Sequence, residues 1–186
     1  MIRTVTTTHL EVNDPAAIVA AKPPPPGTVL HHAEVASPEL GRFFYSAVGG
    51  DWFWTDRLRW TWSAWLDHLA HPDRELWYAT FRGTPAGCFE LDATSPADVE
   101  VAIFGLLPGF IGKGMGGWLL ERCLHRALTL RPRVWLHTCT LDHPNALASY
   151  RVRGLVPFRV ERSQIDLPAE PPGPWPGAAR PTASLV

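Results

Sequence analysis

The sequence predicts an α/β fold of the mixed α+β kind, one domain built on a central, mostly antiparallel sheet flanked by helices. Three observations carry this. Short runs rich in Val, Thr and aromatics alternate with stretches of helical periodicity. The 186 residues suit a single domain, and 46% apolar residues supply its core. Residues Val99 to Leu128, VEVAIFGLLPGFIGKGMGGWLLERCLHRAL, join an apolar strand to an amphipathic helix through a glycine-rich loop.

Each element follows in order. Ile2 to Val12 is rich in Thr and Val and reads as a strand. Asp14 to Gly27 holds KPPPPG, a stiff polyproline-type connector. Val29 to Val35 reads as a second strand. Ser37-Pro38-Glu39 starts a helix with a capping hydroxyl, a proline at the first helical position and an acid in the first turn. Leu40, Phe43, Phe44, Ala47 and Val48 continue it, and Gly49-Gly50 ends it. Leu58, Trp62, Trp65, Leu66 and Leu69 form the stripe of a second helix, stopped by His71-Pro72. Glu75 to Phe81 and Pro85 to Leu91 flank a hairpin turn at Arg82-Gly83-Thr84. Val99 to Leu106 feeds the glycine loop, and Leu119, Leu120, Cys123, Leu124, Ala127 and Leu128 face inward on the helix after it. Arg133 to Leu141 is a strand, Asn145 to Arg153 a helix, and Pro157 to Asp166 a last strand. The chain divides into an amino-terminal strand and connector (1–27), a main domain (28–167) and a proline-rich tail (168–186), surface-draped or disordered.

Composition narrows the function. A net charge of −1 gives no general case for nucleic acid or an anionic membrane as partner. No apolar leader or membrane-length stretch occurs, and Cys88, Cys123 and Cys139 lack disulfide or metal spacing. A cytoplasmic, reduced protein is expected. His31-His32 has no acids nearby in sequence, so no metal is expected.

A strand–loop–helix unit presents unpaired N–H groups and the positive end of a helix dipole to an anion. The spacing decides which anion. A P-loop needs Ser or Thr after its lysine, but Gly114 follows Lys113. Gly112, Gly114 and Gly116 do not fit G-x-G-x-x-G. The stretch Ile111-Gly112-Lys113-Gly114-Met115-Gly116 instead resembles motif A of the GNAT superfamily of acyl-CoA N-acyltransferases, Q/R-x-x-G-x-G/A, with Ile111 in the Gln/Arg position. Ala146 to Leu155 resembles motif B, A-x-x-x-Y-x-x-x-G-F, with Leu155 for Phe and His143 where the family often has Asn. The resemblance covers roughly residues 28 to 162. The family's core ends in two strands; this chain has room for one before the tail, and its amino-terminal strand is expected to stand in for the other.

The resemblance implies acetyl-CoA as co-substrate and an amine acceptor, in a monomer or homodimer. The implied cofactor-binding residues are Phe104, Gly105 and Leu106 on the strand and Ile111, Gly112, Lys113, Gly114, Met115, Gly116 and Gly117 in the loop and helix start. His143 and Asn145 are placed at the pantetheine amide, or else cap the helix.

Transfer to an amine needs a group to take the amine's proton and one to protonate the leaving thiolate. Glu100, eleven residues before Ile111, matches a glutamate that serves as base in some family members. Strand alternation puts Glu100, Ala102, Phe104 and Leu106 on one face. Glu90 is the rival base. A turn symmetric about Ser95 sets Glu90 across from Glu100, where the two carboxyls share a proton; a one-residue slip separates them. Tyr150 matches the motif-B tyrosine, the usual acid. His137 is read as a satisfied structural histidine. Trp52 and Trp54, off the helical stripe of Trp62 and Trp65, are candidates for the acceptor wall, with Asp51 and Asp56 beside them. Two functions remain open: an acetyl-CoA-dependent N-acetyltransferase of a small amine or peptide, and a catalytically silent domain that binds an acyl-CoA or another ligand as a sensor.

Overall fold

The computed structural model describes residues 1–178. Its strands are β1 (Ile2–Val12), β2 (Thr28–His32), β3 (Arg74–Phe81), β4 (Thr84–Asp92), β5 (Val99–Leu106), β6 (Val134–Cys139) and β7 (Val156–Asp166). Its helices are α1 (Pro38–Gly49), α2 (Trp62–Leu69), α3 (Met115–Leu130) and α4 (Ala146–Val152). The strands form one seven-stranded sheet in the order β2-β3-β4-β5-β6-β1-β7. Every pairing is antiparallel except β5 with β6.

β1 lies between β6 and β7, so the amino-terminal strand pairs within the main sheet, as its Val and Thr content predicts. Leu10 sits opposite Leu136 on one side and Pro157 on the other. Leu10 and Val12 then bury against Leu119, Leu120, Cys123 and Leu124 of α3. On the sheet's other side, Phe44, Tyr45 and Val48 of α1 and Trp65 of α2 pack on Leu76, Cys88 and Ile103.

Local chemistry explains the boundaries. Ser37 caps α1 by accepting from the Leu40 N–H. Thr61 caps α2 by accepting from the Ala64 N–H, so this helix starts later than its apolar stripe foretells. Leu58 lies in the turns before it, and Trp62 is 59% exposed. β2 ends at His32, short of the expected Val35, which is exposed. The β3–β4 hairpin turns on Arg82-Gly83 alone, both with positive φ, and Thr84 already pairs with Phe81.

β5 and β6 pair only at Val99↔Val134 and Glu100↔Trp135, then part. β5 is bent at this point. Leu91 pairs with Val101 but Glu90 pairs with Ile103, so Ala102 is an extra, bulged residue. α1 presses on the strand just beyond: a Cβ on Gly105 would come within 2.4 Å of Val48 Cγ1.

Beyond β7 the chain runs irregularly to 178, and the Gly173 N–H donates to the Gly50 carbonyl. The remaining tail, 179–186, lies outside the described residues. Among the described residues no helix is long and apolar enough to cross a membrane, and no group of three His, Cys, Asp or Glu is placed to hold a metal.

If β1 is an integral strand, removing one buried side chain from it must cost as much as elsewhere in the core. Leu10 is fully buried. Leu10→Ala is expected to lower unfolding free energy by about 3 kcal/mol in denaturant titration. A change within error would show that β1 contributes no packing.

Candidate active site

The parting of β5 and β6 opens a cavity of about 1420 Å³ that reaches both faces of the sheet. One end is formed by the glycine loop, the start of α3 and α4. The other is the open face of β5, β6 and β1, walled by the segment after α1.

At the first end, Gly112 and Gly114 have φ of +80° and +81°, the left-handed region that favours glycine. A Cβ at either would meet nothing within 4 Å, so the space beside them is open. Gly114 is the N-cap of α3 and offers no side-chain cap, which leaves the first-turn N–H groups to an outside acceptor. Gly116, Gly117 and Ile111 line the same space, as do Phe104, Gly105 and Leu106. Two expected members do not line it. Met115 is buried against Ala86 and Phe110, because it begins the apolar stripe that anchors the helix start, so only its backbone faces the loop. Lys113 is outside the lining as well.

The positive side chains at this end come from elsewhere. Lys22, at the head of the proline connector, and Arg153, just after α4, both line the cavity. The connector is tied down here. The Arg153 guanidinium donates to the Val19 carbonyl at 2.6 Å, and the Ala21 N–H donates to Glu121 at 2.8 Å. Arg153 Nε is buried with no partner among the described residues. A glycine cradle, a helix start and two cations together suit an anion.

At the second end, Glu100 lies directly opposite Asp92, not Glu90. The turn is centred on Pro96 rather than Ser95, which sets this register; the bulge at Ala102, farther along, moves Glu90 on to Ile103 and reverses the alternation. Val101 and Phe104 both pack with the α3 cluster, whereas Ile103 packs with the α1 cluster. Glu100 therefore does not share a face with Phe104 and Leu106. The cavity still reaches all of them, because it passes through the gap. Burial pushes the Glu100 carboxyl up from its ordinary value, and the charge of Asp92 adds to the shift against the pull of Arg57. His137 Nδ1 lies 3.7 Å from Glu100 Oε1.

Glu90 is held differently and does not line the cavity. Its side chain is 3% exposed. It accepts two bonds from Arg57 Nη1, at 2.9 and 3.0 Å, and one from His68 Nε2 at 2.8 Å. Burial alone would raise its pKa, but His68 and Arg57 outweigh burial and hold the carboxyl below its usual range. Arg57 in turn lies over the ring of Trp60, 4.9 Å from its centroid. This is an ion-pair cluster that anchors the segment between α1 and α2 to the sheet.

Tyr150 lines the cavity from α4, with its ring edge-on to Phe104 at 6.0 Å. Burial pushes its phenol well above the usual range, and Asp142 adds to this. Its hydroxyl has no hydrogen-bond partner among the described residues. Trp52 and Trp54 both line the cavity at its second end. Trp54 stacks over Gly49, where a Cβ would sit 2.2 Å from the indole, and its N–H donates to Asp142 at 3.4 Å. The run Thr138–His143 closes the turn after β6: Asp142 accepts from the Thr138 hydroxyl at 2.8 Å and the Cys139 N–H at 2.9 Å. That turn delivers His143 and Asn145 to the cavity. His143 packs edge-on against Trp52, and its Nδ1 accepts from the Asn145 N–H at 3.1 Å. Asn145 is the N-cap of α4 but makes no side-chain cap bond.

Comparison with known proteins gives the following. The model of the acetyltransferase (GNAT) family matches residues 37–155. No curated protein matches significantly. The fold is similar to a GCN5-related N-acetyltransferase from Kribbella flavida, at 22% identity and a TM-score of 0.59 over 84% of this chain and 56% of that one. It is similar to a GCN5-related N-acetyltransferase from Sphaerobacter thermophilus, at 17% identity and a TM-score of 0.61 over 92% of this chain and 55% of that one. It also matches a tandem GNAT protein from the clavulanic acid biosynthesis pathway, at 17% identity and a TM-score of 0.55, over 86% and 53%. The chain thus spans a little over half the length of these structures.

The two glutamates carry opposite stability signatures. A raised carboxyl destabilises the fold as pH climbs through its folded pKa, so Glu100→Gln is expected to raise Tm at pH 7, with the gain vanishing below the ordinary carboxyl pKa. A lowered carboxyl stabilises above its unfolded pKa and loses that contribution as pH falls through its folded one. Glu90→Gln is therefore expected to cost about 3 kcal/mol at pH 7, by leaving Arg57 unpaired. Thermal melts from pH 3 to 8 check both, and equal signs at pH 7 would refute the assignment.

Proposed function

The chain belongs to the acetyltransferase (GNAT) family, whose members are acyltransferases, and from that premise we propose that it moves an acetyl group from acetyl-CoA to a primary amine of a small molecule or peptide. One observation supports this above the rest: a single cavity joins the phosphate-binding glycine loop to Glu100 and Tyr150.

The residues present suit the co-substrate. Gly112, Gly114 and Gly116 leave backbone amides open to a pyrophosphate, and the buried, unpartnered Nε of Arg153 faces the need for an anion. Beyond Glu100 the strands offer unpaired backbone groups to a pantetheine arm. Bound there, the thioester supplies an electrophilic carbonyl and a thiolate leaving group.

The chain's own groups then act in sequence. Glu100 takes the proton from the acceptor ammonium; its raised pKa brings it closer to that of an amine. The freed amine nitrogen bonds to the acyl carbon, and the carbon–sulfur bond breaks. Tyr150, held protonated by burial, gives its proton to the departing sulfur and takes back the second proton that the nitrogen sheds as the amide forms. Trp52 and Trp54 line the space for the acceptor, and Asp56 stands beside them. That wall suits an amine with an apolar or cationic body.

Release of free thiol from acetyl-CoA against a panel of amines tests the activity; acetyl-CoA binding without turnover on any amine would support a silent, ligand-binding domain instead. Gly116 is the clean position for testing the cradle. It lacks the positive φ of Gly114, and a Cβ there makes only an ordinary 3.5 Å contact with Leu106. Gly116→Asp is expected to weaken acetyl-CoA binding severely by calorimetry with Tm unchanged, since it sets a negative charge against phosphate. Tyr150→Phe is expected to lower kcat by about 10²-fold with little change in acetyl-CoA affinity. Unchanged binding in the first, or unchanged kcat in the second, removes that residue's role.

A further inference from the structure

The transfer step leaves a proton on Glu100 after every turnover, and the open face of the sheet carries two histidines that the step does not use. His137 on β6 pairs across the strands with His9 on β1, and their rings are 5.6 Å apart. His137 Nδ1 is the ring nitrogen near Glu100, at 3.7 Å. On its far side, His9 Nε2 is 3.1 Å from Glu161 Oε2 on β7. Glu100, His137, His9 and Glu161 all line the cavity. We propose that His137 is the proton exit of this site: it accepts the proton from Glu100 at Nδ1 and releases one from Nε2 to water, with His9 holding its ring in place. The proposal rests on Glu100 acting as the base.

The balance is simple. The acceptor ammonium gives a proton to the Glu100 carboxylate. The protonated carboxyl gives it to neutral His137, which restores the carboxylate and forms an imidazolium. Water or a buffer base then takes a proton from the imidazolium. No other reactant is needed.

Three features separate this from a structural histidine. The His137 side chain is 48% exposed, so it reaches solvent while touching the base, whose side chain is 30% exposed. Its ring makes no hydrogen bond with any described residue, so it is not the satisfied histidine that the strand pattern foretells. His9 differs in both respects: it is 14% exposed and bonded to Glu161, which suits a positioning residue. The surrounding charges also bring donor and acceptor together. Glu100 faces Asp92 and Glu90 on β4, Asp98 in the turn and Arg57, and it is raised by burial first and by Asp92 next. His137 faces His9, Asp142 and Asp56, and it is lowered by burial first and by His9 next. The two proton affinities shift toward each other, which reduces the cost of the hand-over.

Two measurements test this on the full chain. The first follows the His137 ring by NMR through a pH titration, in the wild type and in Glu100→Gln. Loss of the facing carboxylate is expected to lower the His137 pKa; an identical titration overturns the proposal. The second is kinetic. His137→Gln is expected to lower kcat/KM on the order of 10-fold, with acetyl-CoA affinity unchanged and most of the rate restored by added imidazole. A loss that imidazole does not restore marks a packing role and overturns the proposal. If the wild type acetylates no amine, the proposed function falls by itself, and the titration still decides whether Glu100 and His137 form a proton pair.

Discussion

β5 and β6 hydrogen-bond at Val99↔Val134 and Glu100↔Trp135 and nowhere further along, so the inner edges of both strands carry backbone groups with no neighbouring strand. That arrangement lasts only if something else holds the strands apart and fills the gap. α1 does the first by lying on Gly105 through Val48, and the bulge at Ala102 turns β5 away. The sheet is completed on either side, by β4 and β1, without closing the split. Glu100, Tyr150 and the glycine loop are reached from one space because the sheet is open in its middle rather than at its rim.

Which features the sequence makes legible follows from the range of the interaction behind them. The cap at Ser37, the left-handed glycines of the loop and the turn at Arg82-Gly83 are local, and the residues that make them sit within a few positions of each other. The place of β1 is less local, yet its Val and Thr content and the shortage of strands after α4 point to it. The register at Glu100 is a different matter. It depends on where the β4–β5 turn is centred, at Pro96 rather than Ser95, and the run ATSPAD marks a turn without marking its middle; the bulge at Ala102 only moves Glu90 on to Ile103. The partner of Glu100 thus becomes Asp92, while Glu90 falls to a separate ion-pair cluster. Arg153 and Lys22 are hidden for another reason: the contact between Arg153 and Val19 spans 134 residues, and a proline run reads as a spacer whatever it touches.

The Arg57–Glu90–His68 cluster shows how charge is divided in a small volume. One carboxylate is saturated with donors and fixed as an anion; a neighbouring one, Glu100, is desolvated and faces Asp92. The same strand pair therefore carries one carboxyl fixed by donors and one raised by burial, only two pairing positions apart. The aromatic segment between α1 and α2 is secured through Arg57, which ties Trp60 and Tyr45 to that fixed anion. The aromatic wall of the cavity and the charge at its floor come from one arrangement.

The insertion of β1 between β6 and β7 also governs when the molecule can form. β1 is made before its partners, which lie more than a hundred residues later: Thr7 faces Cys139 and Glu161. During synthesis it has nothing to pair with until both have emerged, and β6 keeps a bare edge until β1 arrives. Closing so large a loop is slow relative to local pairing, although its entropic cost grows only with the logarithm of length. The β3–β4–β5 meander and α3 supply the early, local contacts. The half of the cavity that includes His9 is assembled last, so a nascent chain holds its glycine loop before it holds the far wall of its site.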